Sequence, residues 1–317
     1  MALKILLVFR AFTFPAGVIT LSMFAAPARA DDRTLCYRPS ADTLKLEACA
    51  RLIRSGRVPG RDIAYAYQQR GAVLANRKQF DNALTETNEA IRLAPHMWEA
   101  YYLRCGILFQ LNHFEHAIPD CTEAIQHNPK HPDSYYARGL LFIKLGRNEL
   151  ALADLNTAIR IKPQFVFLST RGLIYIKIEE FDRAIADLDH AIRLAPTDSI
   201  SYSYRAVAYE GRKDFDRATV DYQKALRLDP SHPGARDGLA RIENRKAAQA
   251  ALDYGALYFS GNGVPRDLIL AYRWYNAAAA FLPAGPEREK ALASRDAVAR
   301  QMSPDEVASA QKARAQQ

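Results

Sequence analysis

Five prolines, Pro95, Pro129, Pro163, Pro196 and Pro230, close segments reading AIRLAP, AIQHNP, AIRIKP, AIRLAP and ALRLDP. The steps between them are 34, 34, 33 and 34 residues. A fixed period of this size means that one short structural unit is copied, and that each copy buries its apolar face only by stacking on its neighbours. The chain is 317 residues long, and such an array reaches that length without one spherical core.

Other columns keep the same step. Small residues stand 24 before each proline, at Gly71, Cys105, Gly139, Gly172 and Ala206. Alanines stand 12 before it, at Ala83, Ala117, Ala151, Ala184 and Ala218, and 5 before it, at Ala90, Ala124, Ala158, Ala191 and Ala225. Phe80, Phe114, Phe181 and Phe215 form a further column, interrupted by Asn148. These columns resemble the tetratricopeptide repeat (TPR), a helix–turn–helix unit of 34 residues. The resemblance covers residues 64–232 and implies an all-α fold, a right-handed helical-hairpin solenoid. By column there are five repeats, 64–97, 98–131, 132–165, 165–198 and 199–232. Pro163 to Gly172 spans nine residues where the other junctions span ten, so one residue is missing from the connection before the fourth repeat. Each second helix carries an acid in its first turn (Asp81, Glu115, Glu149, Asp182, Asp216), which suits the positive end of the helix dipole.

An arginine precedes every small-residue position, at Arg70, Arg104, Arg138, Arg171 and Arg205. Sixteen residues later an acid always follows, at Glu86, Asp120, Asp154, Asp187 and Asp221. The spacing places one partner on each helix of a hairpin and predicts a ladder of ion pairs that fixes helix register. The alternative is an arginine stripe that binds a polyanion, disfavoured because a paired arginine is poorly available to a ligand.

Residues 1–30 read as a secretory signal peptide, with Lys4 and Arg10, an apolar run, and Ala28-Arg29-Ala30 at the cleavage position. The apolar run of about 16 residues is short for a membrane span, so no membrane insertion is expected after cleavage. The whole chain has a formal charge of +8, of which Lys4, Arg10 and Arg29 leave with the signal. The remaining surplus fits solubility or an acidic partner and does not argue for nucleic acid. Export places the protein in a periplasmic or extracellular, oxidising setting. Cys36 and Cys49 are then expected to form a disulfide within an N-terminal capping segment, 31–63, whose helix runs over 41–55 and in which Asp62 caps the first array helix. Cys105 and Cys121 lie on the two helices of one repeat and are read first as buried packing cysteines, with a second disulfide as the alternative.

After the array, 233–249 reads as a solvating helix. LDYGALYFSGNGVPRD followed by AYRWYNAAA, within 250–282, resembles a single Sel-one-like repeat, which implies a second kind of helical hairpin joined by the Gly261–Pro265 loop. Leu268-Ile269-Leu270 departs from that pattern and suggests an added contact, with the array among the candidates. The tail, 283–317, reads as capping helices, with Ser303-Pro304-Asp305-Glu306 as a capping box.

No Gly-rich phosphate loop, nucleophile elbow, HExxH or clustered metal-ligand spacing occurs. Neither catalysis, a cofactor nor a metal is expected. The resemblance implies that first helices line a concave binding face. Its groove offsets fall on Tyr65, Tyr102, Phe109, Tyr136, Leu140, Ile143, Leu173, Ile176 and Val207, an apolar and aromatic lining. The expected partner is a protein or extended peptide, whose identity the sequence does not specify. A carbohydrate- or peptidoglycan-associated module, or an accessory subunit of an envelope enzyme, is the alternative, resting on the rings of Tyr102, Phe109 and Tyr136.

Overall fold

A computed structural model describes residues 32–38, 41–55 and 59–312. The predicted signal segment lies outside them. All regular structure among the described residues is helical, and it falls into two compact units, one ending at Arg171 and the other starting at Gly172.

The first unit opens with α1 (Asp32–Tyr37) and α2 (Asp42–Ser55), followed by three hairpins: α3 (Gly60–Asn76) with α4 (Phe80–Leu93), α5 (Trp98–Gln110) with α6 (Phe114–His127), and α7 (Pro132–Lys144) with α8 (Asn148–Ile161). The start of α9 (Phe165–Lys177) completes it. Cys36 and Cys49 are bridged, with Cα atoms 4.9 Å apart. Both are fully buried in a cluster with Ala48, Leu52 and Ala66, so the bridge holds α1 and α2 against α3. The Tyr37 hydroxyl adds a 2.8 Å hydrogen bond to the Asp62 carbonyl. Asp62 does not cap α3: the helix starts two residues earlier behind Pro59, and the Asp62 amide already donates to the Pro59 carbonyl. The fixed φ of proline prepares that start.

The turn inside each hairpin has one design. Lys78, Asn112 and Gly146 occupy the left-handed region at φ 60°, 61° and 74°. The next amide then donates back five residues, from Gln79 to Leu74, His113 to Leu108 and Arg147 to Phe142. This pattern satisfies the orphan carbonyls of the first helix and aims the chain into the second. Glu179 and Lys213 repeat it in the second unit.

The second unit contains the remainder of α9, then α10 (Phe181–Leu194), α11 (Ser199–Gly211), α12 (Phe215–Leu228), α13 (Pro233–Ser260), α14 (Leu268–Phe281), α15 (Pro286–Ala299) and α16 (Pro304–Lys312). The separate segments expected at 233–249 and from 250 onward are here one helix of 28 residues. Nothing between 245 and 255 breaks it: Lys246-Ala247-Ala248-Gln249-Ala250-Ala251 is a strongly helix-favouring run. Its first half is a sixth first-helix of the array, in register, since Pro233 stands 34 residues after Ser199. It buries Ala235 and Ile242 against Ala206, Tyr209, Ala218, Tyr222 and Ala225. Its second half packs Ala248 and Ala251 against Ala278, Ala279 and Ala291. Gly261 ends α13 at φ 72°, and the Asp267 carboxylate caps α14 by accepting from the Leu270 amide at 2.9 Å. Leu268 and Ile269 pack around Tyr272, Tyr275, Val298 and Ala310, so their added contact is with α15 and α16 and not with the array. The expected capping box is present: Ser303 N–H donates to Glu306 at 2.7 Å, and Glu306 N–H to Ser303 at 3.3 Å.

Candidate functional site

The ladder arginines are half-buried by their hairpins, and their aspartates are buried. Arg104 donates to both oxygens of Asp120 at 2.7 and 2.6 Å, Arg138 to both of Asp154 at 2.8 Å, and Arg205 to both of Asp221 at 2.7 and 2.8 Å. Such fork-to-fork pairing fixes orientation as well as distance. The same guanidinium also reaches backward to the second helix of the previous repeat. Arg104 donates to Asn88 at 2.7 Å, Arg138 to Thr122 at 3.1 Å and Arg205 to Asp189 at 2.6 Å. Arg171 reaches Asn156, fifteen residues back where the others reach sixteen, which follows from the missing residue before the fourth repeat. Arg104, Arg138 and Arg205 therefore each tie three helices. The hydrogen bonds to Asp221 hold the Arg205 pKa above even the ordinary guanidinium range.

The first rung differs. Arg70 meets Glu86 through one bond of 2.6 Å, and the other carboxylate oxygen of Glu86 is buried without a partner. Burial raises the Glu86 pKa, and the Arg70 charge opposes this only in part.

Cys105 and Cys121 are joined, with Cα atoms 5.4 Å apart. This corrects their reading as unbridged packing residues: facing helices bring the two positions, next to Arg104 and Asp120, into bridging range. The second hairpin is thus cross-linked by an ion pair and a disulfide at one level.

The predicted groove residues fall into two groups. Phe109, Tyr136, Leu140 and Leu173 are buried. Phe109 stands edge-on to Phe114 at 5.4 Å, and Tyr136 packs on Phe167 at 4.8 Å with its hydroxyl 3.3 Å from Thr170. These side chains fill the joints between helices. Tyr65, Tyr102, Ile143, Ile176 and Val207 keep part of their surface accessible, one in each repeat. Tyr65 stands edge-on to Tyr37 at 4.7 Å, and Tyr102 lies between Trp98 at 6.4 Å and His131 at 5.1 Å. Burial, with the nearby charge of Asp133, pushes the Tyr102 phenol far above its ordinary range, so this ring stays neutral.

In the second unit a cleft of about 420 Å³ opens between α11, α12 and α13. Phe181, Val207 and Phe215 supply apolar surface, and Glu210, Lys213, Arg241, Arg245 and Glu287 supply charge. Gly211 is required in the wall, because a Cβ there would meet the Phe181 ring at 2.3 Å. Among the described residues, no group of three or more His, Cys, Asp or Glu side chains could hold a metal ion, and no helix is long and apolar enough to cross a membrane.

Tetratricopeptide repeat families match residues 107–164, 167–198 and 199–232. Among solved structures, YrrB, a TPR protein with an unusual peptide-binding site, superposes with a TM-score of 0.51 at 19% identity, covering 61% of this chain and 97% of its own. The C-terminal part of a TPR repeat-containing protein from Cytophaga hutchinsonii gives 0.52 at 18%, covering 79% and 94%. A tetratricopeptide repeat protein from Parabacteroides merdae gives 0.51 at 18%, covering 80% and 92%. At these identities the likeness is one of fold. No curated protein matches the chain. Residue columns, hairpin turns and matched families agree: this chain carries a tetratricopeptide-repeat array.

Proposed function

We propose that the mature chain is a non-enzymatic scaffold of the bacterial periplasm or cell envelope that holds a protein or an extended peptide segment. TPR proteins in general mediate protein–protein interaction. The observation that carries the proposal is the series Tyr65, Tyr102 and Ile143 in the first unit, one partly accessible apolar side chain per repeat at a first-helix position, with Ile176 and Val207 of the same kind within the second unit. Spaced apolar anchors of this kind are what an extended segment engages. The peptide-binding site of YrrB, which has the same fold, agrees with this reading. Export is supported by the leader-like residues 1–30 and by two disulfides, a bond that persists in oxidising compartments. The hairpin within 250–282 is then a Sel-one-like unit that closes the end of the array.

The test is capture from envelope extract with the mature, oxidised protein, comparing wild type with a Tyr102→Ala/Ile143→Ser variant of unchanged helical circular dichroism. Recovery of one protein by the wild type and its loss from the variant is the expected result. Retention of both proteins on purified cell-wall material, with no protein partner, would instead favour a carbohydrate-associated module.

A further inference from the structure

The cleft in the second unit carries charge that its own acids do not balance. Arg241 and Arg245 stand one repeat after Val207 and Gly211, so the sixth first-helix places two cations where the fifth has none. Unlike the ladder arginines, which are 20–26% exposed, these two are 51% and 42% exposed. Lys213, exposed at the left-handed turn, has no acidic partner among the described residues. Three cations therefore face two carboxylates across the lining.

The two carboxylates are held differently. Glu210 takes two bonds from Arg241, at 3.2 and 2.9 Å, and a third from the Tyr222 hydroxyl at 2.9 Å. Glu287, from α15, has one bond to Arg245 at 2.9 Å and is 57% exposed. Exposed single pairs of this kind are weak. Arg245 also lies over the Phe215 ring at 5.3 Å, which orients its guanidinium whether or not Glu287 is engaged.

We infer that this cleft binds an acidic side chain of a peptide ligand, and that Glu287 holds the place of that carboxylate in the free chain. A ligand glutamate would exchange a single contact on Arg245 for a forked one and bring Lys213 into the site. An apolar neighbour on the ligand would cover Phe181, Val207 and Phe215. The cleft volume, about 420 Å³, suits a few side chains. This inference rests on the scaffold reading and adds to it a ligand chemistry and a self-occupied state.

The test uses a labelled eight-residue peptide of alternating glutamate and leucine and its lysine–leucine counterpart, titrated into the full mature chain by fluorescence anisotropy. Glu287→Gln should bind the glutamate peptide roughly two- to fivefold more tightly, the range that losing a weak competing pair allows. Arg245→Gln should bind it about tenfold more weakly, with circular dichroism reporting that both variants fold. The inference is overturned by absence of glutamate-peptide binding, by equal binding of the lysine peptide, by unchanged affinity in Arg245→Gln, or by unchanged or weaker binding in Glu287→Gln. An envelope partner captured equally by wild type and Arg245→Gln, yet lost from the Tyr102→Ala/Ile143→Ser variant, removes the cleft and keeps the scaffold. If the wild type captures no partner, the scaffold reading itself fails.

Discussion

Arg138 grips Asp154 across the third hairpin, each carboxylate oxygen accepting a guanidinium N–H at 2.8 Å, while its remaining nitrogen reaches Thr122 at 3.1 Å. With 20% and 8% of their side chains exposed, the pair is shielded enough that removing one member leaves a poorly solvated charge.

Asp154→Ala is therefore expected to cost about 2–3 kcal/mol, somewhat less than the loss of a fully buried pair. Thermal denaturation reads it as a fall in Tm of roughly 5 °C or more. An unchanged Tm would show that the ladder does not hold the hairpins in register.

The Cys105–Cys121 bridge closes a loop of 16 residues, so replacing both cysteines with alanine should remove about 3 kcal/mol. Urea unfolding of the double variant checks the magnitude, and mass mapping without reductant checks the pairing. Recovery of free Cys105 and Cys121 thiols from native protein would contradict it.

Two glycines distinguish crowded from open positions. At Gly238 a Cβ would lie 2.2 Å from the Tyr222 ring. That ring is fully buried and tethered by its hydroxyl to Glu210, so it has little room to withdraw. Gly238→Ala should destabilise by about 1–3 kcal/mol. At Gly139 the nearest atom would be 3.5 Å away, and Gly139→Ala should be neutral or gain up to about 1 kcal/mol from helix propensity. Melting both variants side by side decides this, and equal losses would refute the distinction.

His131 has its pKa lowered by burial, against the opposing charge of Asp133. It faces the rings of Trp98 and Tyr102 and the Ser134 hydroxyl. A depressed folded value means that the unfolded chain takes up this proton first as pH falls. The contribution is therefore present above the unfolded histidine range, near about 6.5, and is lost as pH drops through the folded value. Tm should decline between pH 7.5 and 5.5, and His131→Gln should flatten that decline. The same slope in both proteins would assign it elsewhere.

The proline, alanine and small-residue columns sufficed to locate the hairpins, because in a stacked array every copy faces the same packing problem. The ladder was legible for the same reason, but only half of it: the backward reach to Asn88, Thr122 and Asp189 crosses between repeats, and those acceptors share no residue type. The sixth first-helix is masked in the sequence because the arginine column gives way to Leu239 and the proline column has ended. His232-Pro233 nevertheless repeats His131-Pro132, and Ala240 falls in the small-residue column. Among the groove positions, spacing could not separate Tyr136 from Tyr102. Phe167, one repeat further on, covers Tyr136, whereas the residue at the same spacing after Tyr102 is Asp133.

Because α13 serves the array with its first half and the following hairpin with its second, it acts as a splint. A cut at 249/250, where composition suggests a boundary, would sever one continuous hydrogen-bonded rod and fray both sides. Local opening near Ala235 and local opening near Ala251 draw on the same helix, so amide exchange along 233–260 should follow a common cooperative unit. The last helix of the array and the terminal hairpin are thus expected to open together.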